Sequence, residues 1–155
     1  MSSLRRGSPL TGVLVIGVGT LIVPLDTSVN IAFPDITSSF AIPIADIQWV
    51  VLSYVLIYVA LLLAFGKLGD LFGHKRIFLI GLAVSALAFA ACALAPSYQW
   101  LLGARVLQGI GAAFVLSCGA ALATALFPES GRSRALGVYT MMFGIGAAAG
   151  PSLGG

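Results

Sequence analysis

Charge is what this sequence has least of: eight basic and five acidic residues in 155 positions, 8% of the chain. So few charges cannot keep a globular surface in water, and with a mean hydropathy of +1.08 they exclude a soluble enzyme. Potential metal ligands are equally scarce, with one histidine and two cysteines. Cys92 and Cys118 form no C-x-x-C pair and stand in apolar runs, so they read as small packing residues, and no metal site is expected. No phosphate-binding loop is present, which argues against energy drawn directly from ATP, and no cofactor is implied. The net charge of +3 does not signal nucleic acid, because the basic residues form no stripe and have no aromatic partners outside the apolar runs.

What the chain does have is long uncharged runs: residues 7–25, 47–66, 77–104, 106–128 and 135–155, of 19, 20, 28, 23 and 21 residues. About 20 helical residues cross the roughly 30 Å hydrocarbon core of a bilayer. The runs predict an all-α integral membrane protein with about five transmembrane helices, at about 10–32, 47–66, 77–95, 100–126 and 135–155, behind a short cytoplasmic tail, residues 1–9. Arg5 and Arg6 before an apolar stretch resemble a signal peptide. That stretch continues to Ala32 without a small-residue cleavage site at the usual distance, so a retained first helix is expected. The run ends at Gly154-Gly155 with no polar tail, and five helices make an open bundle, which suggests a truncated chain.

Seven of the eight basic residues fall in the amino tail and in the second-to-third and fourth-to-fifth connections. The opposite connections carry none, which puts the amino terminus in the cytoplasm by the positive-inside rule. Trp49, Tyr98 and Trp100 fall at the outer ends of spans, as interfacial anchors do. A faint echo pairs Phe33-Pro34-Asp35 with Phe127-Pro128-Glu129, as three-helix repeats in transporters would, but three residues support nothing alone.

Two charges fall inside spans. A lone ionised carboxylate there costs about 2.5–3.5 kcal/mol on insertion scales, so Asp26 must be protonated, paired or facing water. It lies ~9 Å below the outer interface, and Arg105 lies ~8 Å below it. Matched depth makes a pair possible if the first and fourth helices are neighbours, with Arg105 holding Asp26 as a carboxylate until a proton or substrate breaks the contact. The competing reading is a helix-end carboxylate without a transport role and an arginine that snorkels to the headgroups. Gln108, one turn from Arg105, and the small residues Gly109, Gly111, Ala112 and Ala113 favour an inward face.

The connection 66–76 repeats glycine around an acid: Gly66, Gly69, Asp70 and Gly73, then Lys75 and Arg76. Its glycines suit a tight turn, and Asp70 is placed to cap a helix amino terminus. His74 reads as a loop residue standing in for a basic one. The fifth span is interrupted by Gly137, Gly144, Gly146, Gly150, Pro151, Gly154 and Gly155, which predicts a kinked, closely packed helix. Packing through Gly146-x-x-x-Gly150 explains only part of this run.

In order and spacing these segments resemble the major facilitator superfamily, specifically its fourteen-helix drug:proton antiporter branch. Leu25-Asp26-Thr27-Ser28-Val29-Asn30-Ile31-Ala32-Phe33-Pro34 is similar to the branch's first-helix motif, whose acid is implicated in coupling or cation recognition. Residues 66–76 resemble the superfamily's cytoplasmic gating loop, with Gly66, Asp70 and Gly73 in place; Leu71 stands where a basic residue is usual, although Lys75 and Arg76 remain. Arg105-Val106-Leu107-Gln108-Gly109 resembles the fourth-helix motif, whose arginine is linked to proton transfer. Residues 146–155 resemble the fifth-helix motif of antiporters.

The resemblance implies a partial amino-terminal half of the fold, and no enzyme. It implies a proton-coupled multidrug exporter working by alternating access, with lipophilic or cationic small molecules as substrates. The partners it implies are the lipid bilayer, protons and the missing carboxy-terminal helices, with no nucleic acid. It also implies a multi-pass protein of the cell membrane, in a bacterial inner membrane. A narrow-specificity metabolite exporter of the same branch and a small non-transporting membrane scaffold are the alternatives.

Overall fold

The computed structural model describes residues 9–154. The tail with Arg5 and Arg6, and Gly155, lie outside the described residues, as do the side chains of residues 151–154. The described residues contain helices and no strands. In chain order these are α1 (Pro9–Thr20), a 3₁₀ segment (Pro24–Asn30), α2 (Phe33–Phe40), a second 3₁₀ turn (Ile44–Ile47), α3 (Gln48–Phe72), α4 (His74–Ala93), α5 (Tyr98–Ala125), a short 3₁₀ turn (Glu129–Gly131) and α6 (Arg132–Gly154). Three stretches are long and apolar enough to cross a membrane: Ile44–Phe72, His74–Ala93 and Tyr98–Ala125.

The first apolar run is not one helix. Proline has no N–H to donate and its ring crowds the carbonyl four residues earlier, so the α-helical ladder cannot continue through Pro24. α1 ends at Thr20, whose hydroxyl turns back to the Ile16 carbonyl at 2.9 Å. Three-residue bonds then take over, Val23 N to Thr20 O at 3.1 Å and Asp26 N to Val23 O at 3.2 Å. The resulting 3₁₀ segment is seven residues long. Runs beyond about four residues are uncommon and, in mid-helix, often mark a hinge. Asp26 lies in its first turn, where the helix dipole favours an acid.

The connection 66–76 is also different from its sequence reading. Residues 66–72 extend α3, and the only break is Gly73, whose φ of 92° lies in the region open to glycine. Asp70 caps no backbone; its carboxylate meets His74 Nε2 at 3.3 Å across the break. Gly69 packs beneath this corner, where a Cβ would fall 2.8 Å from Cys118 Sγ and 3.0 Å from the His74 ring. α6 continues through Gly150 and Pro151 to Gly154 without interruption.

α5 is the central strut, packed against α1, α3, α4 and α6. Its buried positions are mostly small or polar: Ala104, Arg105, Gln108, Gly109, Gly111, Ala112, Ala113, Cys118, Gly119 and Ala123. Large side chains face outward, among them Leu56, Val59, Leu63 and Leu87. That inversion suits lipid, where an exposed leucine is already solvated and helices associate by close backbone approach rather than by hiding apolar surface. A Cβ on Gly109 would lie 2.7 Å from the Tyr54 carbonyl of α3, and one on Gly111 would lie 2.8 Å from the Ser85 amide of α4. At one end of the bundle the Tyr98 hydroxyl donates to Asp46 O at 2.6 Å, and Trp100 Nε1 donates to Ala91 O at 3.1 Å. Ser97 caps α5 there by accepting from the Trp100 amide.

Gly111→Val is expected to destabilise the bundle by about 1–3 kcal/mol through overpacking against α4. Gly103→Ala, with open space around the new carbon, is expected to leave the melting temperature of the detergent-purified protein unchanged or slightly raised. Equal melting temperatures for the two variants would contradict this packing.

Candidate functional site

The broken first helix, α3 and α5 converge on one buried polar cluster. Asp26 is 7% exposed and Arg105 2% exposed, and they form an ion pair inside the bundle. The pair is bidentate: Arg105 Nη1 donates to Asp26 Oδ1, and Nη2 donates to Oδ2 at 2.8 Å. Fork-to-fork pairing fixes both planes as well as the distance, which a lysine cannot do. Gln108 closes the cluster, its Nε2 donating to Asp26 Oδ1 at 2.8 Å and its Oε1 accepting from Arg105 Nη1 at 2.7 Å. Residues three apart on a helix face the same way, so α5 delivers Arg105 and Gln108 as a unit.

Three groups that sequence reasoning missed complete the surroundings. Arg105 Nε donates to the Val50 carbonyl of α3 at 2.8 Å. The Tyr54 ring, one turn on, lies 4.9 Å from the guanidinium carbon, a cation–π contact. Cys92 of α4 lies 3.7 Å from Gln108 Oε1, so this thiol touches the cluster's edge rather than only filling space. A carbonyl leaves no mark in a sequence. Tyr54, beside Ser53, is the polar interruption in an apolar run that could have drawn attention to α3.

Electrically the cluster is one carboxylate against one guanidinium, with the carboxylate accepting three hydrogen bonds. In a low-dielectric interior each charge is tolerable because of the other, so removing either one leaves the other stranded. The arrangement suits a charge switch.

The remaining sequence-derived residues fall elsewhere. Gly109 lies beside the cluster as the contact between α5 and α3. Gly66, Asp70, Gly73, Lys75 and Arg76 cluster at the opposite end, around the α3–α4 break, and Lys75 and Arg76 are exposed and form no ion pair among the described residues. Gly146 of α6 packs on the broken helix, where a Cβ would meet Pro24 at 2.7 Å and Leu21 at 2.9 Å. Gly150 is buried one turn further on, and Pro151 and Gly154 follow in the same helix. α6 thus braces the segment that carries Asp26.

Arg105→Gln and Asp26→Asn are each expected to cost about 3–5 kcal/mol of stability by stranding the partner charge. Arg105→Lys is expected to recover only part of that loss. Thermal melting of the purified variants checks the order, and a lysine variant as stable as the wild type would contradict the fork geometry.

Residues 16–155 match the family described as the Major Facilitator Superfamily. The chain is 42% identical over 154 residues, 98% of its length, to the multidrug resistance protein Stp of Mycobacterium tuberculosis, of which it covers 28%. It is 37% identical to the methylenomycin A resistance protein of Bacillus subtilis, with 99% of the chain and 34% of the relative covered. It is 34% identical to the riboflavin transporter RibZ of Clostridioides difficile, with 92% of the chain and 31% of the relative covered. The chain therefore spans about a third or less of the length of these relatives.

Proposed function

The chain belongs to the major facilitator superfamily, a family of membrane transporters, and from that premise we propose that it supplies the amino-terminal helices of a proton-coupled multidrug exporter. The observation that carries this reading is the buried Asp26–Arg105–Gln108 cluster, the only ion pair among the described residues with both partners buried. Similarity to proteins named for multidrug and methylenomycin A resistance supports drug export, and lipophilic or cationic small molecules are the substrates proposed.

In this reading the cluster is the coupling element of an antiporter. A proton arriving on Asp26 removes the charge that holds Arg105, and the guanidinium must then find another acceptor or move toward water. Departure of the proton restores the pair. A cationic substrate competes with Arg105 for the same carboxylate, so substrate and proton occupy Asp26 in turn. Because Asp26 rides on a 3₁₀ segment between two turns, making or breaking the pair acts on a hinge rather than on a rigid helix. Alternating access then exposes Asp26 to one face of the membrane at a time.

The rest of the assignment follows the same frame. The basic end, with Lys67, Lys75, Arg76, Arg132 and Arg134, faces the cytoplasm of a bacterial cell with the amino terminus on that side. The α3–α4 break at Gly73, with Asp70 and His74 across it, serves as the cytoplasmic latch. The part of α6 from Gly146 to Gly154 contributes to the interface with the carboxy-terminal helices of the complete transporter. A second reading is export of a single metabolite by the same coupling, and similarity to a riboflavin transporter favours it.

In the full-length transporter, Asp26→Asn is expected to abolish efflux driven by a pH gradient while leaving membrane insertion intact. Substrate flux in proteoliposomes, with insertion checked separately, decides the matter. Undiminished flux would remove Asp26 from the mechanism.

A further inference from the structure

The charge cluster is closed on most sides by packed helices, yet Arg105 also forms part of the wall of a cavity of about 470 Å³. This cavity lies beneath α2, between the 3₁₀ segment, the end of α4 and the start of α5. Its mouth carries the exposed Asp35 and Ser39, its walls include Ile36 and Phe40, and Cys92 lines it together with Arg105. It opens toward the end of the bundle that holds Trp49 and Trp100, because α2 precedes α3 there and the end of α4 meets the start of α5 through Trp100.

Two further observations bear on what fills it. Arg105 has five N–H groups, and four of them find acceptors: Val50 O, both Asp26 oxygens and Gln108 Oε1. The fifth, on Nη2, has no acceptor among the described residues, and a buried charged donor left dry is costly. The connection 33–46 that overhangs the cavity carries two acids, Asp35 and Asp46, and no base, so the field at its mouth favours cations. A space of this size, where each water takes about 30 Å³, has room for several waters, and Asp35, Ser39 and Arg105 are the polar groups of its lining that could hold them.

We propose that this cavity is a water-filled antechamber through which hydronium reaches the Asp26–Arg105 pair, with Asp35 collecting cations at its mouth. It places the non-cytoplasmic proton entry beside the bundle, under α2, rather than along the substrate route. α2 suits a roof over water: among its eight residues none is buried, and its last turn ends in the left-handed Ala41, φ 49°, which aims the chain away toward α3. This inference rests on the proton-coupled reading above for its purpose, while the cavity itself is read from the geometry alone.

Cys92 reports on it directly. In intact cells making the full-length transporter, membrane-impermeant methanethiosulfonates are added from outside and Cys92 modification is followed by peptide mass spectrometry. The expected result is labelling by the cationic reagent about tenfold faster than by the anionic one, a preference that Asp35→Asn removes. Ile36→Trp, which fills the cavity, is expected to slow both reagents and to slow proton uptake by the same factor. Modification of Cys92 only by an uncharged, lipid-soluble reagent would show a space filled by hydrocarbon and overturn the proposal, as would labelling that Ile36→Trp leaves untouched. If labelling behaves as expected while Asp26→Asn leaves flux unchanged, the proton-coupled reading fails, and the role as a proton entry fails with it. Wild-type flux with Asp26 essential but Cys92 inaccessible would sink the antechamber alone.

Discussion

A carboxylate and a guanidinium placed in a hydrocarbon-embedded bundle have few acceptable arrangements, and the architecture around Asp26 and Arg105 follows from that constraint. They are paired through both carboxylate oxygens, and two further guanidinium N–H groups go to Gln108 and to the Val50 carbonyl. Meeting these demands requires three elements to be in register at one depth. The 3₁₀ segment must turn Asp26 inward, α5 must present Arg105 and Gln108 on one face, and α3 must bring a backbone carbonyl within reach. Small residues on α5 satisfy the last condition, since Gly109 lets the Tyr54 and Val50 turn of α3 come close. Polar pairing and tight packing are therefore one feature, not two.

The interruption of the first helix follows from the same logic. A continuous α-helix would carry Asp26 on a rigid rod whose only freedom is to move as a whole. Pro24, two residues before the acid, ends the α-helical ladder, and the three-residue bonds that replace it are weaker and more easily rearranged. α6 compensates by pressing Gly146 against Pro24 and Leu21, which supports the broken segment without tying up its polar groups. A soft joint and a firm neighbour thus stand together at this corner of the bundle.

How much of this was legible in the sequence depended on which atoms carry the information. The all-helical membrane class was plain from the spacing of charges, since ionised side chains punctuate apolar runs at the length of a bilayer. The matched depth of Asp26 and Arg105 was legible, but their meeting was not, because it depends on the first and fourth long segments being neighbours, which only the structure shows. The break at Pro24 was hidden: the apolar run reads straight through it, and hydropathy does not register the loss of a backbone donor. Residues 66–72 read as a loop for the opposite reason. Glycine there signals close approach of Cys118 and His74 at Gly69, within a helix, and only Gly73 has the backbone conformation of a turn. The Val50 carbonyl and the cavity beneath α2 depend on tertiary placement, which no side-chain pattern encodes.

The account turns on Asp26 and Arg105 acting as a single unit, and a double-mutant cycle measures that most directly. The stability of Asp26→Asn combined with Arg105→Gln is compared with that of each single variant in the full-length protein. Removing both charges together leaves no stranded ion, so the account predicts that the double variant is no less stable than the weaker single one. Losses that add would mean the two charges are independent, and the switch built on them would fall.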